Sequence, residues 1–397
     1  MSNDFILKNV SNLEEYLIST QRYLHENPEV SHKEYQTSTF LKQEIKKLEF
    51  EIIETPGTGF IAILDTGKEG KTVALRTDID ALPIQENVMN LRKKKVSVSK
   101  NDGAMHACAH DGHMAIILAA AKILNEMKDL LAGKIIFMFE ESEEAGGGAE
   151  QLIEILKNYK IDAIYGNHLV SFIEAGKISV DAGPVMAGAI LVDFKVIGKG
   201  GHGSRPDLSI SPIFGSANVL TALASAWSNQ IDVTKTVTLG LGSINGGTVF
   251  NVIPDEVKIT GSLRFYDSEE GEKAINIMKT TSKHAAMSQN CSVEFTEGAN
   301  QIAVHPVIND IKLSKIARDG INEILPGVLT QGVKWFASES FSKYNCLAPI
   351  VFAFVGIKNL EEGMGAEHHN EFFDMDEKAL YYGTAAQVKF VYDYLRG

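Results

Sequence analysis

Met105 to His113 reads MHACAHDGH, which puts a thiol, three imidazoles and a carboxylate within nine positions. Thiolates and imidazoles bind zinc and its first-row neighbours, and a nearby carboxylate can orient a ligating ring by accepting its other N–H. Cys108, His110 and His113 are therefore candidate metal ligands, with Asp111 as the orienting group. Any one of them alone reads more simply as a core cysteine or a solvated histidine. Crowded together they read as half of a metal site.

Other stretches offer the missing half. Arg76-Thr77-Asp78-Ile79-Asp80 continues a strand-like run from Thr72, which places Asp78 and Asp80 at a strand's carboxyl end, where open α/β sheets keep their ligands. The apolar run Gly133 to Phe139 opens into Glu140, Glu141, Ser142, Glu143, Glu144 and the glycines 146–148. Glu140 and Glu141 fit a solvated helix start at least as well as a site. Glu143 and Glu144 lie nearest the glycines, and adjacent carboxylates suit one metal ligand plus one general base. His168 stands at the end of the strand-like Asp162 to Tyr165, and Glu367 to Phe373 (EHHNEFF) is a second imidazole-rich stretch. His202 lies in the turn GGHGS, Asn251 follows the turn GGT, and Arg264 lies in a strand-like run; each alone reads as structural. Neither glycine turn has a phosphate-binding fingerprint.

The elements that must position these groups follow from periodicity. Ser11 with Glu14, and Ser31 with Glu34, have capping-box spacing and predict two helices before residue 50. Short apolar runs at 50–53, 60–64 and 72–75 predict strands, and Met114 to Met127 predicts a helix starting at the imidazole cluster. From Ala189 to about Gly298 the order is strand, helix, strand, strand, helix, strand, a ferredoxin-like βαββαβ unit. The chain then returns, with helices predicted over 305–324 and 376–395 and a core strand over 350–355. The fold class is α/β, with a discontinuous domain at 1–186 and 299–397 and an inserted α+β domain at 187–298.

Composition bounds the function. The 397 residues are 44% hydrophobic and 22% charged, with a formal charge of -13, which argues against nucleic-acid or anionic-membrane partners. The run RKKK at Arg92 to Lys95 reads as a solvated loop. No stretch approaches the roughly 18 apolar residues of a membrane span, and the amino terminus lacks a signal-peptide pattern, so a cytoplasmic chain is expected. Three cysteines, odd in number and widely spaced, predict reduced thiols rather than a disulfide framework.

Together the segments RYLHENPE, RTDIDALPIQE, MHACAHDGH, ESEEAGGGA, GNH, GKGGHGS, FNVIPDEVKITGSLR and HHNEFFDMDE resemble the M20 metallopeptidase family. They are most similar to its amidohydrolase branch, which includes N-acyl-amino-acid amidohydrolases and auxin-conjugate hydrolases. The resemblance implies a mixed-sheet, zinc-peptidase-like catalytic domain sandwiched by helices, with the inserted domain serving as lid and dimerisation surface of a homodimer. It implies two divalent ions (zinc, manganese, nickel or cobalt) held by Cys108, His110, Glu144, His168 and His369. Glu143 is implied as general base, and His202 as an oxyanion donor reaching across the dimer. Asn251 and Arg264 are implied at the substrate's carboxylate. Asp78, Asp80, Asp111 and His113 are left with supporting roles.

The implied reaction is cleavage of the amide bond of a small N-acyl-L-amino acid through a metal-activated water. A dipeptidase, or a deacetylase of another N-acylated metabolite, is the alternative within the family. Outside it stand a cysteine-nucleophile hydrolase using Cys108 and a non-catalytic acyl-amino-acid-binding protein. Three departures from the family pattern matter: Ala109 stands where glycine is usual, Ser340 where aspartate is usual, and Glu140 with Glu141 where an uncharged pair is usual.

Overall fold

The computed structural model describes residues 2–396, which form two compact units. One comprises the chain up to Gly183, Ile308–Val333 and the chain from Lys343 onward; the other is Pro184–Val307 with Lys334–Ser342.

The first unit is built on an eight-stranded sheet ordered Glu51–Glu54, Phe60–Asp65, Lys134–Glu140, Thr72–Asp78, Ala163–Glu174, Ile350–Lys358, Ile178–Ser179 and Leu329–Thr330. Its four central strands, from Lys134–Glu140 to Ile350–Lys358, are parallel, while Phe60–Asp65 runs antiparallel to its neighbour. The central sequences TVALR, KIIFMF and IVFAFV are near-continuous apolar runs because both faces of a parallel sheet are covered. Val73, Leu75, Phe137 and Tyr165 pack in one core with the helices His110–Glu126 and Lys378–Arg396, while Ala74, Ile136, Met138 and Ile164 are buried as well.

The second unit carries Gly188–Ile197, Pro212–Gln230, Val237–Asn245, Glu256–Phe265, Ser268–Met287 and Ser292–Phe295 in the order βαββαβ. The sheet order Val237–Asn245, Glu256–Phe265, Gly188–Ile197, Ser292–Phe295 is that of a ferredoxin-like fold. Alternating burial along Gly188–Ile197 keeps Ile190, Val192, Phe194 and Val196 in its core.

Local signals fail where side chains are used elsewhere. Ser11 lies inside an additional helix, Ser2–Asn12, and the next helix, Glu14–Glu26, starts after Leu13 with no side-chain cap. The Ser31–Glu34 box is not made either. Ser31 donates its hydroxyl to Asp80 at 2.6 Å, while Glu34 accepts the N–H groups of His32 at 3.0 Å and Ser142 at 2.9 Å. The predicted helix over 305–324 begins only at Ile311, where the Asp310 carboxylate caps the N–H groups of Lys312 and Leu313. Lys95, read as solvated, is buried. No described helix is long and apolar enough to cross a membrane.

Candidate metal centre

Asp78 and Glu140 are the last residues of adjacent parallel strands and pair with each other in register. The chain beyond the first strand carries Asp80, and beyond the second it carries Glu143 and Glu144. Ser142, at φ 52°, and Gly147, at φ 99°, turn this second loop back on itself. The helix after it starts at Gly148, where a Cβ would collide with the carbonyl oxygen of Glu141. His110 is the first residue of the helix His110–Glu126, entered from Ala109 at φ 65°. A left-handed alanine is strained, so this departure from glycine places backbone strain at the entry to the helix. His168, expected at a strand end, lies within Ala163–Glu174, which continues past it in register with Phe354.

Four overlapping groups bring ligand atoms within 4.8 Å of one another: Cys108, His110 and His168; Cys108, Glu144 and His369; His110, Glu143 and Glu144; and Asp78, His110 and His113. Hydrogen bonds sort the imidazoles. His110 turns Nδ1 to the carbonyl oxygen of Asp80 at 2.8 Å, which fixes a proton there and points Nε2 into the site. That atom lies 3.8 Å from Glu144 Oε1. His168 likewise places Nδ1 on the carbonyl oxygen of Leu169 at 2.8 Å and turns Nε2 toward Cys108 Sγ at 3.6 Å. His113 differs, because its Nε2 accepts the N–H of Leu169 at 2.9 Å and its Nδ1 faces Asp78 Oδ1 at 2.7 Å. Both of its nitrogens are engaged, and it has no lone pair to offer an ion.

The second imidazole stretch is sorted in the same way. His369, at φ 61°, brings Nε2 to 3.3 Å from Glu144 Oε1, whereas Nε2 of His368 accepts the N–H of Ser171 at 3.2 Å.

Charge is arranged around these atoms. Burial raises the Cys108 thiol well above its ordinary value, and Glu144 adds to the effect. Burial and the neighbouring imidazoles His113 and His368 hold His168 well below its ordinary value, so it is neutral. Burial works against ionisation of Asp78, but His110, His113 and Arg76 overcome it and hold the carboxyl well below the usual range.

Glu140 and Glu141 are not a solvated helix start. Glu140 is buried and accepts from Arg76 Nε at 2.8 Å and the Tyr344 hydroxyl at 2.8 Å, while Arg76 also pairs with Asp78 at 2.7 Å. Glu141 is buried too, accepting from Thr58, from Gly59 N–H at 2.6 Å and from Gln151. Their charge is spent on fixing the loop that carries Glu143 and Glu144. Nothing in the residue pattern around Arg76 or Tyr344 marks the part they play, because their partner Glu140 lies 64 and 204 residues away.

In the second unit, the two-residue strand holding His202 pairs with Val252, and the Gly203 N–H donates to the carbonyl oxygen of Asn251 at 2.8 Å, so the two predicted residues are neighbours. Nδ1 of His202 accepts the N–H of Ser204 at 3.1 Å, which places the ring proton on Nε2. Arg264 is half-buried and donates to Ser262 at 2.9 Å and Ser338 at 3.0 Å. Asp111 lies behind the metal loop, accepting from Gln21 at 2.7 Å and facing His25 Nδ1 at 2.7 Å.

The residues fit a metal pair. Nε2 of His110 and Oε1 of Glu144 are buried without a hydrogen-bond partner, a costly state that a cation taking the place of the His110 Nε2 proton would relieve at both atoms. Sulfur, nitrogen and oxygen donors converge on the same space, the mixture that zinc and its first-row neighbours take.

Comparison with known proteins agrees with this chemistry. Residues 74–393 match the sequence profile of peptidase family M20/M25/M40. Over 390 residues the chain is 36% identical to thermostable carboxypeptidase 2 of Saccharolobus solfataricus, with 96% of each chain covered. Over 375 residues it is 35% identical to N-acetyl-L-cysteine deacetylase of Bacillus subtilis, covering 94% of this chain and 86% of that one. It superposes with a TM-score of 0.83 on the crystal structure of a dinuclear metal-binding M20 peptidase from Bacillus subtilis, 28% identical, with 97% of this chain and 99% of that chain covered.

Proposed function

This chain belongs to peptidase family M20/M25/M40, on its amidohydrolase branch, and we propose that it hydrolyses the amide bond of N-acyl-L-amino acids. The observation that carries this reading is the convergence of Cys108, His110, Glu144, His168 and His369 beside Glu143. Those five side chains would hold two divalent ions. When bound, the ions supply Lewis acidity that polarises the amide carbonyl and acidifies water.

Glu143 performs the proton transfers. Its carboxylate accepts the proton of the attacking water and returns it to the nitrogen of the departing amine, so that the free amino acid and the acyl carboxylate leave. His202 is a suitable oxyanion donor because its proton sits on Nε2, opposite the bond from Ser204. Arg264 can turn donors not taken by Ser262 and Ser338 to the substrate carboxylate, with Asn251 beside it in this reading.

A homodimer through the second unit is supported by its surface. Phe214, Leu208 and Val252 are exposed, Phe250 is fully so, and the strand Val237–Asn245 lies at an open sheet edge. Three cysteines with no disulfide between them suit a reducing compartment such as the cytoplasm.

A second reading, removal of the C-terminal residue from short peptides, is favoured by the likeness to a carboxypeptidase. Both substrates present a carboxylate to Arg264 and differ on the acyl side. A hydrolysis panel of N-acetyl, longer-acyl and aromatic-acyl amino acids with dipeptides separates them. The proposal expects kcat/KM for the best acyl amino acid to exceed that for every dipeptide by at least about tenfold; the reverse order selects the peptidase.

A further inference from the structure

The groups behind the metal loop form a continuous chain. Asp111, next to His110, faces His25 Nδ1 at 2.7 Å; His25 Nε2 faces Glu86 Oε1 at 3.0 Å; the same oxygen accepts from Lys95 Nζ at 2.8 Å. Lys95 Nζ then donates to the carbonyl oxygen of Glu371 at 3.0 Å, two residues beyond His369. Asp111, His25, Glu86 and Lys95 are all more than nine-tenths buried. The series alternates in sign and runs from one imidazole-rich stretch to the other.

We propose that His25, Glu86 and Lys95 are positioning residues that lock the stretch 105–113 to the stretch 367–373 in the register a metal pair requires. This inference rests on the reading of those stretches as the metal centre. Four buried charges are an expensive way to stabilise a fold, since apolar side chains of similar volume do as well or better. What charges add is direction: each accepts or donates along one line, and here every link but the last is between ionised groups. His25 is suited to the middle because both ring nitrogens face carboxylates, which requires the imidazolium.

Glu86 is further fixed by the Ser99 N–H at 2.5 Å, and Glu371 by the Asn87 N–H at 3.1 Å, so neither end of the Lys95 bridge is free to drift. His369 needs such support. Its side chain is 51% exposed, whereas those of His110 and Glu144 are 1% and 13% exposed, so packing alone holds it least. Nothing in the proposed chemistry uses His25, Glu86 or Lys95 directly.

The test is metal release from the reconstituted enzyme to a chromogenic chelator. Parent, Lys95→Met, Lys95→Arg, Glu86→Gln/Lys95→Met and Lys94→Met are compared, with the thermal midpoint of each metal-free protein measured alongside. Partners that orient metal ligands are typically worth about 10- to 100-fold in metal affinity. Lys95→Met should therefore release its ions at least about 10-fold faster. Lys95→Arg should restore much of the loss, and the exposed neighbour Lys94→Met should match the parent. The double variant should release no faster than Lys95→Met, because the chain is already broken.

Equal release by the parent, Lys95→Met and the double variant overturns the inference while leaving the metal centre standing. So does faster release that only parallels a lower metal-free midpoint and is shared by Lys95→Arg. A parent that cannot be loaded with metal overturns the metal reading itself. If Lys95→Met does not fold, the double variant, which leaves no lone buried charge at that pair, decides by the same criterion.

Discussion

His369 donates its backbone N–H to the carbonyl oxygen of Ala107, 2.9 Å away. This bond fastens the second imidazole stretch to the first one residue before Cys108, and the left-handed backbone at His369 swings its ring to Glu144. Residues more than 200 positions apart are thereby set at ligand distances by one peptide contact and one unusual torsion.

Glu143→Gln tests the assignment of the base. The substitution preserves size and hydrogen bonding but cannot hold the transferred proton. kcat should fall by about 10²- to 10⁴-fold with bound metal unchanged, measured by steady-state kinetics and elemental analysis of the same sample. A variant as active as the parent would refute the role.

Ala109 carries strain whose size can be read. Its left-handed torsion costs about 1–2 kcal/mol, while Ala109→Gly removes a buried methyl worth about 0.8 kcal/mol and loosens the unfolded chain. Glycine should therefore stay within about 1 kcal/mol of the parent in urea unfolding. Ala109→Val, branched at Cβ in the same torsion, should lose more than about 2 kcal/mol. Comparable stability for all three would show that the torsion is not imposed on the loop.

Much of the fold is legible in the sequence for a physical reason. The βαββαβ order of the second unit follows from alternation at period two and helical runs between turns, both local properties. The candidate metal-binding stretches are legible because ligand chemistry restricts residue type, and Cys108 with His110, or Glu143 with Glu144, fall close together in the chain. The chain Asp111–His25–Glu86–Lys95 is not legible, since its members meet only in the folded protein and Lys95 sits in a run that looks like surface. Glu140 and Glu141 mislead in the same way: a carboxylate's burial depends on partners such as Arg76, Tyr344 and Thr58 that lie 60 or more residues away.

The buried chain also sets a pH dependence. Burial alone would lower His25, but its bonds to Asp111 and Glu86 raise it from 6.5 to about 10. The folded state therefore binds this proton more tightly than the unfolded state. The resulting stability is complete below pH 6.5 and is lost as pH rises to about 10. Asp111 behaves oppositely: burial opposes its ionisation, yet the bonds to His25 lower it from 3.8 to about 2, so its contribution is present above 3.8 and lost as pH falls through 2. The metal-free protein should lose stability between pH 7 and 10 with a slope of up to about 1.4 kcal/mol per pH unit from His25. Urea midpoints across that range check this, and His25→Gln should flatten the decline; an unchanged slope in the variant would contradict it.

The most direct test of the metal centre is activity against metal content. Protein stripped with a chelator should hydrolyse no N-acyl amino acid, and activity should return in proportion to added zinc, manganese, nickel or cobalt, saturating at two ions per chain. Full turnover by metal-free protein, abolished by alkylating Cys108, would contradict the account and make that thiol the nucleophile.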